Sequence, residues 1–279
     1  MVGIGSMKYR RIVGAVTLLL LCFFFILLFT ISGSMNFKRE KYSTENELIP
    51  VTYYGEVEGK YIGYQIPVHQ VAREARESFY SGKIDRALFL VEYIISQADE
   101  VEGSFVWKNY FEFPTYGLKK GWSGSLIQAG VIKALVLAHK YTKDERYLHY
   151  AKKALKAFEL PVEKGGLLVR RGDCYWYPEY AKENPPFVLN GFITSLIWIY
   201  EYYEYTGDEE ALEIFQKGVD CLIRYLPEYD AGNLSYYDSE GRINAKYHEL
   251  HVKQMAWMYE ITGKDIFLKY HEKWSQRNS

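Results

Sequence analysis

Cysteine is scarce in this 279-residue chain, which has three: Cys22, Cys174 and Cys221. Cys22 lies in an apolar run, so two remain for the rest of the chain, too few for a disulfide scaffold, and no C-x-x-C pair has zinc spacing. The sequence leaves open whether Cys174 and Cys221 pair. An excess of basic charge is also missing. Lys and Arg number 34 against 35 Asp and Glu, a formal net charge of -1, which excludes the basic face that a nucleic-acid partner needs. Histidine is sparse too. His248 and His251 stand three apart, whereas a zinc pair on one helix takes the H-E-x-x-H spacing, so no metal is expected.

Aromatic residues are plentiful: 27 Tyr, 15 Phe and 6 Trp, in a chain that is 48% hydrophobic. That apolar share is enough for a substantial core. Tyr and Trp join a flat apolar body to a polar tip, which suits sugar stacking and equally suits filling the core and rim of a helical protein.

Ile12 to Ser32 carries no charge. About 20 such residues cross the roughly 30 Å of bilayer hydrocarbon, and the run exceeds the apolar stretch of about 7–15 residues usual in a signal peptide. Lys8, Arg10 and Arg11 precede it, which places the N-terminus in the cytoplasm. The expectation is a single-pass type II membrane protein with an extracytoplasmic catalytic domain. Ser32-Gly33-Ser34 keeps cleavage open. Residues 1–33 are thus expected as cytoplasmic tip and anchor, 34–66 as a linker with a short β segment turning near Glu58-Gly59, and 67–279 as a helical domain.

From Val68 onward the apolar spacing is helical. Helices are predicted over 69–80, 84–98, 123–141, 145–160, 188–205, 208–226, 248–261 and 264–274. A motif repeats between them: Tyr141-Thr-Lys-Asp, Tyr205-Thr-Gly-Asp and Ile261-Thr-Gly-Lys each end one helix and start the next. Recurring helical hairpins predict an all-α fold, an α/α toroid that is an incomplete (α/α)6-type barrel, preceded by the transmembrane helix and the extended segment. The long loops, 161–187 and 227–247, hold the polar and aromatic clusters where function is expected.

Those loops carry Glu179-Tyr180, then Phe187-Val-Leu-Asn190-Gly191-Phe192, then Leu226-Pro-x-Tyr-Asp-x-Gly, Tyr237-Asp238 and Tyr247-His-x-x-His. Upstream stand Gly121-Trp122-Ser123 and Gln128-Ala-Gly-Val. In order and spacing this set resembles the C-terminal catalytic region of the D-glucuronyl C5-epimerases. The resemblance implies an isomerase, similar to the heparosan-N-sulfate-glucuronate 5-epimerases, that inverts C5 of glucuronate in a polysaccharide. It implies Tyr180, Tyr237 and Tyr247 as acid–base groups, with Glu179 beside them. No cofactor is required, because a proton beside a carboxylate can leave through an enolate held by cations. A phenol of ordinary pKa about 10 lies nearer the carbon acid than a carboxylate does. Arg170, Arg171 and Arg242 are candidates for neutralising the substrate carboxylate, and Asn190, His248, His251 and Trp122 for binding the sugar. The partners expected are a uronic-acid-containing polysaccharide and a membrane, with a homodimer possible. The same residues leave other readings open. Asp173, Glu179, Asp230 and Asp238 could serve a glycoside hydrolase, whose two carboxyls stand about 5–9.5 Å apart. A uronate lyase and a non-catalytic glycan-binding protein also remain.

Overall fold

Four helical hairpins make up the chain from Val68 to Ser275. They are α1 (Val68–Tyr80) with α2 (Ile84–Ser96), α3 (Ser125–Thr142) with α4 (Arg146–Leu155), α5 (Leu189–Thr206) with α6 (Glu209–Tyr225), and α7 (Ala245–Thr262) with α8 (Asp265–Ser275). The structure, a computed structural model, describes residues 39–44 and 47–276. The first helices of the hairpins pack on one another in the order α1, α3, α5, α7, and each second helix packs outside its own partner. This is the inner and outer layering of an α/α toroid with its ring left open.

The layering follows from the apolar spacing. Outer helix α6 buries one stripe, Ala211, Ile214, Phe215, Gly218, Val219 and Leu222, the spacing of a helix with one wet face. Inner helix α5 buries every residue from Leu189 to Ile197, because it is enclosed by neighbours on both sides.

The repeated hairpin motif has a single physical cause. The hydroxyls of Thr142, Thr206 and Thr262 donate to the carbonyls of Ala138 (2.8 Å), Tyr202 (2.8 Å) and Met258 (2.6 Å). Each then accepts the backbone N–H two residues on, from Asp144 (3.2 Å), Asp208 (3.2 Å) and Lys264 (3.3 Å). The residue between turns left-handed: Lys143 at φ 61, Gly207 at φ 70 and Gly263 at φ 64. One threonine therefore ends a helix and directs the chain into the next.

The all-α expectation is amended by nine short strands among the described residues. β1 (Arg39–Thr44), β2 (Glu47–Tyr53) and β5 (Tyr64–Gln65) form an antiparallel sheet in the order β1-β2-β5. β3 (Glu56–Val57) and β4 (Lys60–Tyr61) turn at Glu58 (φ 49) and Gly59 (φ 77), the double positive φ of a tight hairpin. β6 (Asp99–Val101) pairs with β7 (Ser104–Val106), and β8 (Val169–Arg171) with β9 (Cys174–Trp176). Tyr54 carries the first of these segments onto the helical domain, its ring 5.1 Å from that of Phe111. Cys174 of β9 and Cys221 of α6 form a disulfide, which answers the question the sequence left open.

The expected fold class is also corrected at its N-terminal end. Among the described residues no helix is long and apolar enough to cross a membrane, so the membrane helix is withdrawn from the fold class. The expected span, Ile12 to Ser32, lies outside the described residues.

Candidate active site

The inner helices α3, α5 and α7 begin at the same end of the ring, where the long loops meet them. Residues 178–181 run along the start of α3: Ser125 N donates to Pro178 O (2.9 Å) and Ala181 N to Ser123 O (3.0 Å). The loop after α6 closes over the start of α5, where Leu189 N donates to Tyr237 O (2.9 Å). Asn244 caps α7, its side chain accepting from Lys246 N (3.1 Å). Tyr180, Tyr237 and Tyr247 are thus delivered by three separate elements.

Glu179 and Tyr180 can lie this close to the helices because Gly124 and Gly191 have no side chain. A Cβ on Gly124 would stand 1.8 Å from Glu179 O, and one on Gly191 would stand 2.0 Å from Glu179 Oε2. The glutamate carboxylate is pressed against the first turn of α5.

The tyrosines form one aromatic cluster. Tyr237 and Tyr247 rings are 4.6 Å apart. Tyr180 stacks on Tyr116 at 4.3 Å and 26°, with Phe113 (6.1 Å) and Trp122 (6.0 Å) beside it. Arg242 lies over the Tyr116 ring and pairs with Asp238, the residue after Tyr237, which ties the two pairs together. The Glu179 Oε2 is sealed from solvent with no hydrogen-bond partner.

Burial dominates the electrostatics of this cluster. It pushes the Glu179 carboxyl up to about 7, against a smaller opposing pull from the Tyr180 hydroxyl. It raises the Tyr180 and Tyr237 phenols far above their ordinary value, and Tyr247 up to about 12, with the Glu179 charge adding to each. In the free site these phenols hold their protons at neutral pH. The cation at the cluster is Arg242. Its guanidinium lies 5.1 Å from the centre of the Tyr116 ring, gives Nη1 to the buried Asp238 (2.7 Å), and gives Nη2 to Glu240.

Other candidates from the sequence are engaged elsewhere. Arg171 is buried among the rings of Trp176, Phe187, Tyr225 and Tyr229, donates to Tyr229 Oη (2.9 Å) and pairs with Glu228 (2.7 Å). It holds the β8–β9 hairpin to the loop after α6. Arg170 is exposed and lies over Tyr175. Both arginines thus meet side chains of the protein itself. His248 accepts from Ser235 N (3.1 Å) and bonds to Trp274 O (3.1 Å), while fully buried His251 meets Ser235 Oγ (2.7 Å). Both histidines tie α7 to the loop after α6, and His248 reaches α8 as well. Asn190 is buried in the first turn of α5; its carbonyl accepts from Gln254 Nε2 (2.9 Å), and its Oδ1 has no partner. Trp122 stands in the aromatic wall and donates to Phe111 O (3.0 Å). Among the described residues no three His, Cys, Asp or Glu side chains converge as a metal site.

Two members of the cluster, Phe113 and Tyr116, were not singled out from the sequence. The density of aromatics between Phe105 and Tyr116 was the available signal, but nothing in it says which ring meets Tyr180.

Comparison with known proteins gives this geometry a setting. The chain is 49% identical over 267 residues to an uncharacterised protein of Methanocaldococcus jannaschii, covering 86% of this chain and 87% of that one. It is 33% identical over 180 residues to the D-glucuronyl C5-epimerase of Caenorhabditis elegans, covering 56% of this chain but 29% of that protein. In fold it is similar to Rex8A of Paenibacillus barcinonensis, solved as a single-residue variant with xylose (TM-score 0.53, 13% identity, 82% of this chain and 63% of that one). It is similar as well to a D-mannose isomerase (TM-score 0.51, 12% identity, 80% and 63%). Residues 101–276 match the family described as D-glucuronyl C5-epimerase C-terminus, and the chain belongs to that family.

Proposed function

We propose that this site inverts C5 of D-glucuronate residues within a polysaccharide by tyrosine-mediated removal and return of a proton. Family membership makes the chain a carbohydrate epimerase in general terms; the C5 chemistry and the uronate substrate are our reading. The observation that carries it is the convergence of Tyr180, Tyr237 and Tyr247, from three elements, around the Glu179 carboxyl held at the start of α5.

The chemistry follows from what each group can do. An ionised phenol takes the C5 hydrogen as a proton, and the C–H electron pair moves into the substrate carboxylate as an enediolate. A neutral phenol on the opposite face of the ring then donates its proton to C5, and the configuration inverts. Tyr180 serves one face, and Tyr237 with Tyr247 the other. The enediolate carries two negative charges and needs a cation. Arg242 is built for that purpose, because its Nη1 edge is fixed on the buried Asp238 while its Nη2 edge rests on half-exposed Glu240. A substrate carboxylate can replace Glu240 there without leaving Asp238 unpaired.

The test is incubation with glucuronate-containing polymers in deuterated water, read by NMR at C5. Deuterium at C5 together with iduronate signals is the expected result, and Tyr237→Phe should lose it by about 10²–10⁴-fold, the range for a positioned acid or base. Growth of an ultraviolet-absorbing unsaturated product instead of iduronate would replace this reading with a lyase.

A further inference from the structure

Phe187, two residues before α5, has its backbone turned left-handed at φ 44. Side chains rarely adopt that conformation, bulky ones least of all, and where they do the surroundings enforce it. The other non-glycine residues at positive φ among the described residues, Glu58, Glu102 and Lys143, sit exposed at tight turns. Phe187 is half-buried, and its ring is gripped. The Arg171 guanidinium of β8 lies 4.4 Å from the ring centre, and Trp176 of β9 meets it at 5.6 Å and 87°. The Phe187 carbonyl is held as well. It accepts from the Tyr229 hydroxyl (2.5 Å), which itself accepts from Arg171 Nη1 (2.9 Å). Tyr229 ends the 3-10 turn Leu226–Tyr229 that follows α6. Arg171 is 9% exposed and paired with Glu228 (2.7 Å), so the clamp is anchored in its turn.

The segment that carries Tyr237 is fastened on both sides of this residue. Pro186 O accepts from Ser239 N (3.0 Å) and from Ser239 Oγ (2.9 Å). Leu189 N donates to Tyr237 O (2.9 Å). Tyr236 N donates to Tyr229 O (2.9 Å), so the residue whose hydroxyl holds Phe187 also holds the chain next to Tyr237. The turn at Phe187 thus decides where residues 236–239 lie relative to the first turn of α5, against which Glu179 is pressed.

We propose that Phe187 is a positioning residue for Tyr237, clamped in its left-handed turn by Arg171 and Tyr229 so that the Tyr237 phenol keeps its place in the site. The consequence for turnover rests on the epimerase reading above; the consequence for where Tyr237 sits does not. Glycine at 187 would take the turn at no steric cost. It has no ring for Arg171 to hold, so the turn would form without being fixed, and residues 236–239 would move with it.

The test uses the whole chain labelled with ¹³C at tyrosine Cζ, read by NMR beside C5-exchange kinetics. Two variants release the clamp from opposite sides. Tyr229→Phe removes one oxygen and keeps its ring beside Arg171. Phe187→Gly removes the other ring and eases the turn, so its melting temperature should stay close to wild type. In both, the Tyr237 signal should move while that of Tyr147, hydrogen-bonded to Glu92 away from the site, stays in place. Their kcat should fall about tenfold to a hundredfold, as for a displacement of about 1 Å at a reacting group, with KM within about twofold. Phe187→Tyr keeps the ring face and should recover most of the loss. The proposal is overturned by a Tyr237 signal that stays put in both variants, by wild-type kcat in both, or by Phe187→Tyr being as slow as Phe187→Gly. Tyr229→Phe decides the matter should Phe187→Gly not fold. Absence of C5 exchange in the wild type defeats the epimerase reading, and the Tyr237 signal still decides the positioning.

Discussion

Adding a single methyl group at Gly191 tests whether the start of α5 positions the acid–base cluster. In an ordinary helix interior, Gly→Ala stabilises by about 0.5–1 kcal/mol. Here the new Cβ would stand 2.0 Å from Glu179 Oε2, 2.7 Å from its Cδ and 2.8 Å from its Cβ. Van der Waals contact needs roughly 3.5 Å, so the carboxylate must retreat by about 1.5 Å. Overpacking of this kind costs about 1–3 kcal/mol, which cancels or exceeds the helix gain and leaves Gly191→Ala destabilised by about 1–2 kcal/mol. The larger effect falls on turnover. Glu179 directly precedes Tyr180 in the chain, so its displacement moves the phenol, and a shift of about 1 Å at a reacting group costs on the order of 10²-fold. Gly124→Ala is the companion variant. Its Cβ meets backbone, Glu179 O at 1.8 Å, which cannot rotate aside, so it should unfold more readily than Gly191→Ala. Urea unfolding and the C5 deuterium-exchange assay measure both. A Gly191→Ala protein more stable than wild type with full exchange activity would refute the close approach and, with it, the positioning of Tyr180 by α5.

Further predictions concern stability. Burial holds the Glu179 carboxyl at about 7 in the fold against an ordinary 4.5. The native state therefore keeps a proton that the unfolded chain loses, and stability should fall as pH rises from 4.5 to 7; Glu179→Gln should remove that slope, on the order of 1 kcal/mol per pH unit, in urea melts. Buried His251 is shifted the other way, to about 3 from 6.5. Its contribution is complete above 6.5 and is lost as pH falls toward 3, and His251→Gln should flatten this acid limb. Lys143 occupies a left-handed position at φ 61 that its two counterparts fill with glycine, so Lys143→Gly should raise stability by about 1 kcal/mol in thermal melts. The Cys174–Cys221 disulfide closes a loop of sequence separation 47. Its reduction should cost about 4 kcal/mol by the chain-entropy relation, seen as a lower urea midpoint under reductant.

Most of the helical fold was legible because its causes are local. The Thr-x hairpin ends are set by one hydroxyl and one left-handed residue, both readable in sequence, and the predicted 188–205 and 264–274 lie within one residue of the observed helices. The strands in the long loops were harder to see, since β8 and β9 have three residues each and are held by a disulfide and by Arg171, which are tertiary effects. The motif marks the tyrosines that the fold brings together, but not the surroundings of the arginines. Arg170, Arg171 and Arg242 all stand in long loops, and one-dimensional order cannot show that Arg171 points into four aromatic rings while Arg242 turns toward Tyr116. The surroundings of His248 and His251 are hidden in the sequence for a related reason. Their spacing puts both on one side of α7, but that side faces Ser235 and Trp274.

Glu179 links the packing to the chemistry. Its charge raises Tyr116, Tyr180, Tyr237 and Tyr247 together, so its protonation state governs how readily any of them ionises. Two opposing influences act on it: burial favours the neutral acid, and the Tyr180 hydroxyl favours the anion more weakly. A substrate carboxylate brought into the cluster adds like charge and tips the balance toward the neutral acid. The cluster then keeps one negative charge, carried by the substrate in place of Glu179, just as one of the phenols must become a base. The glycines that let Glu179 lie against α5 are, on this argument, as necessary to the site as the tyrosines. A larger residue at 191 would move the carboxyl away from the helix start, and the four phenols would no longer share one titrating neighbour.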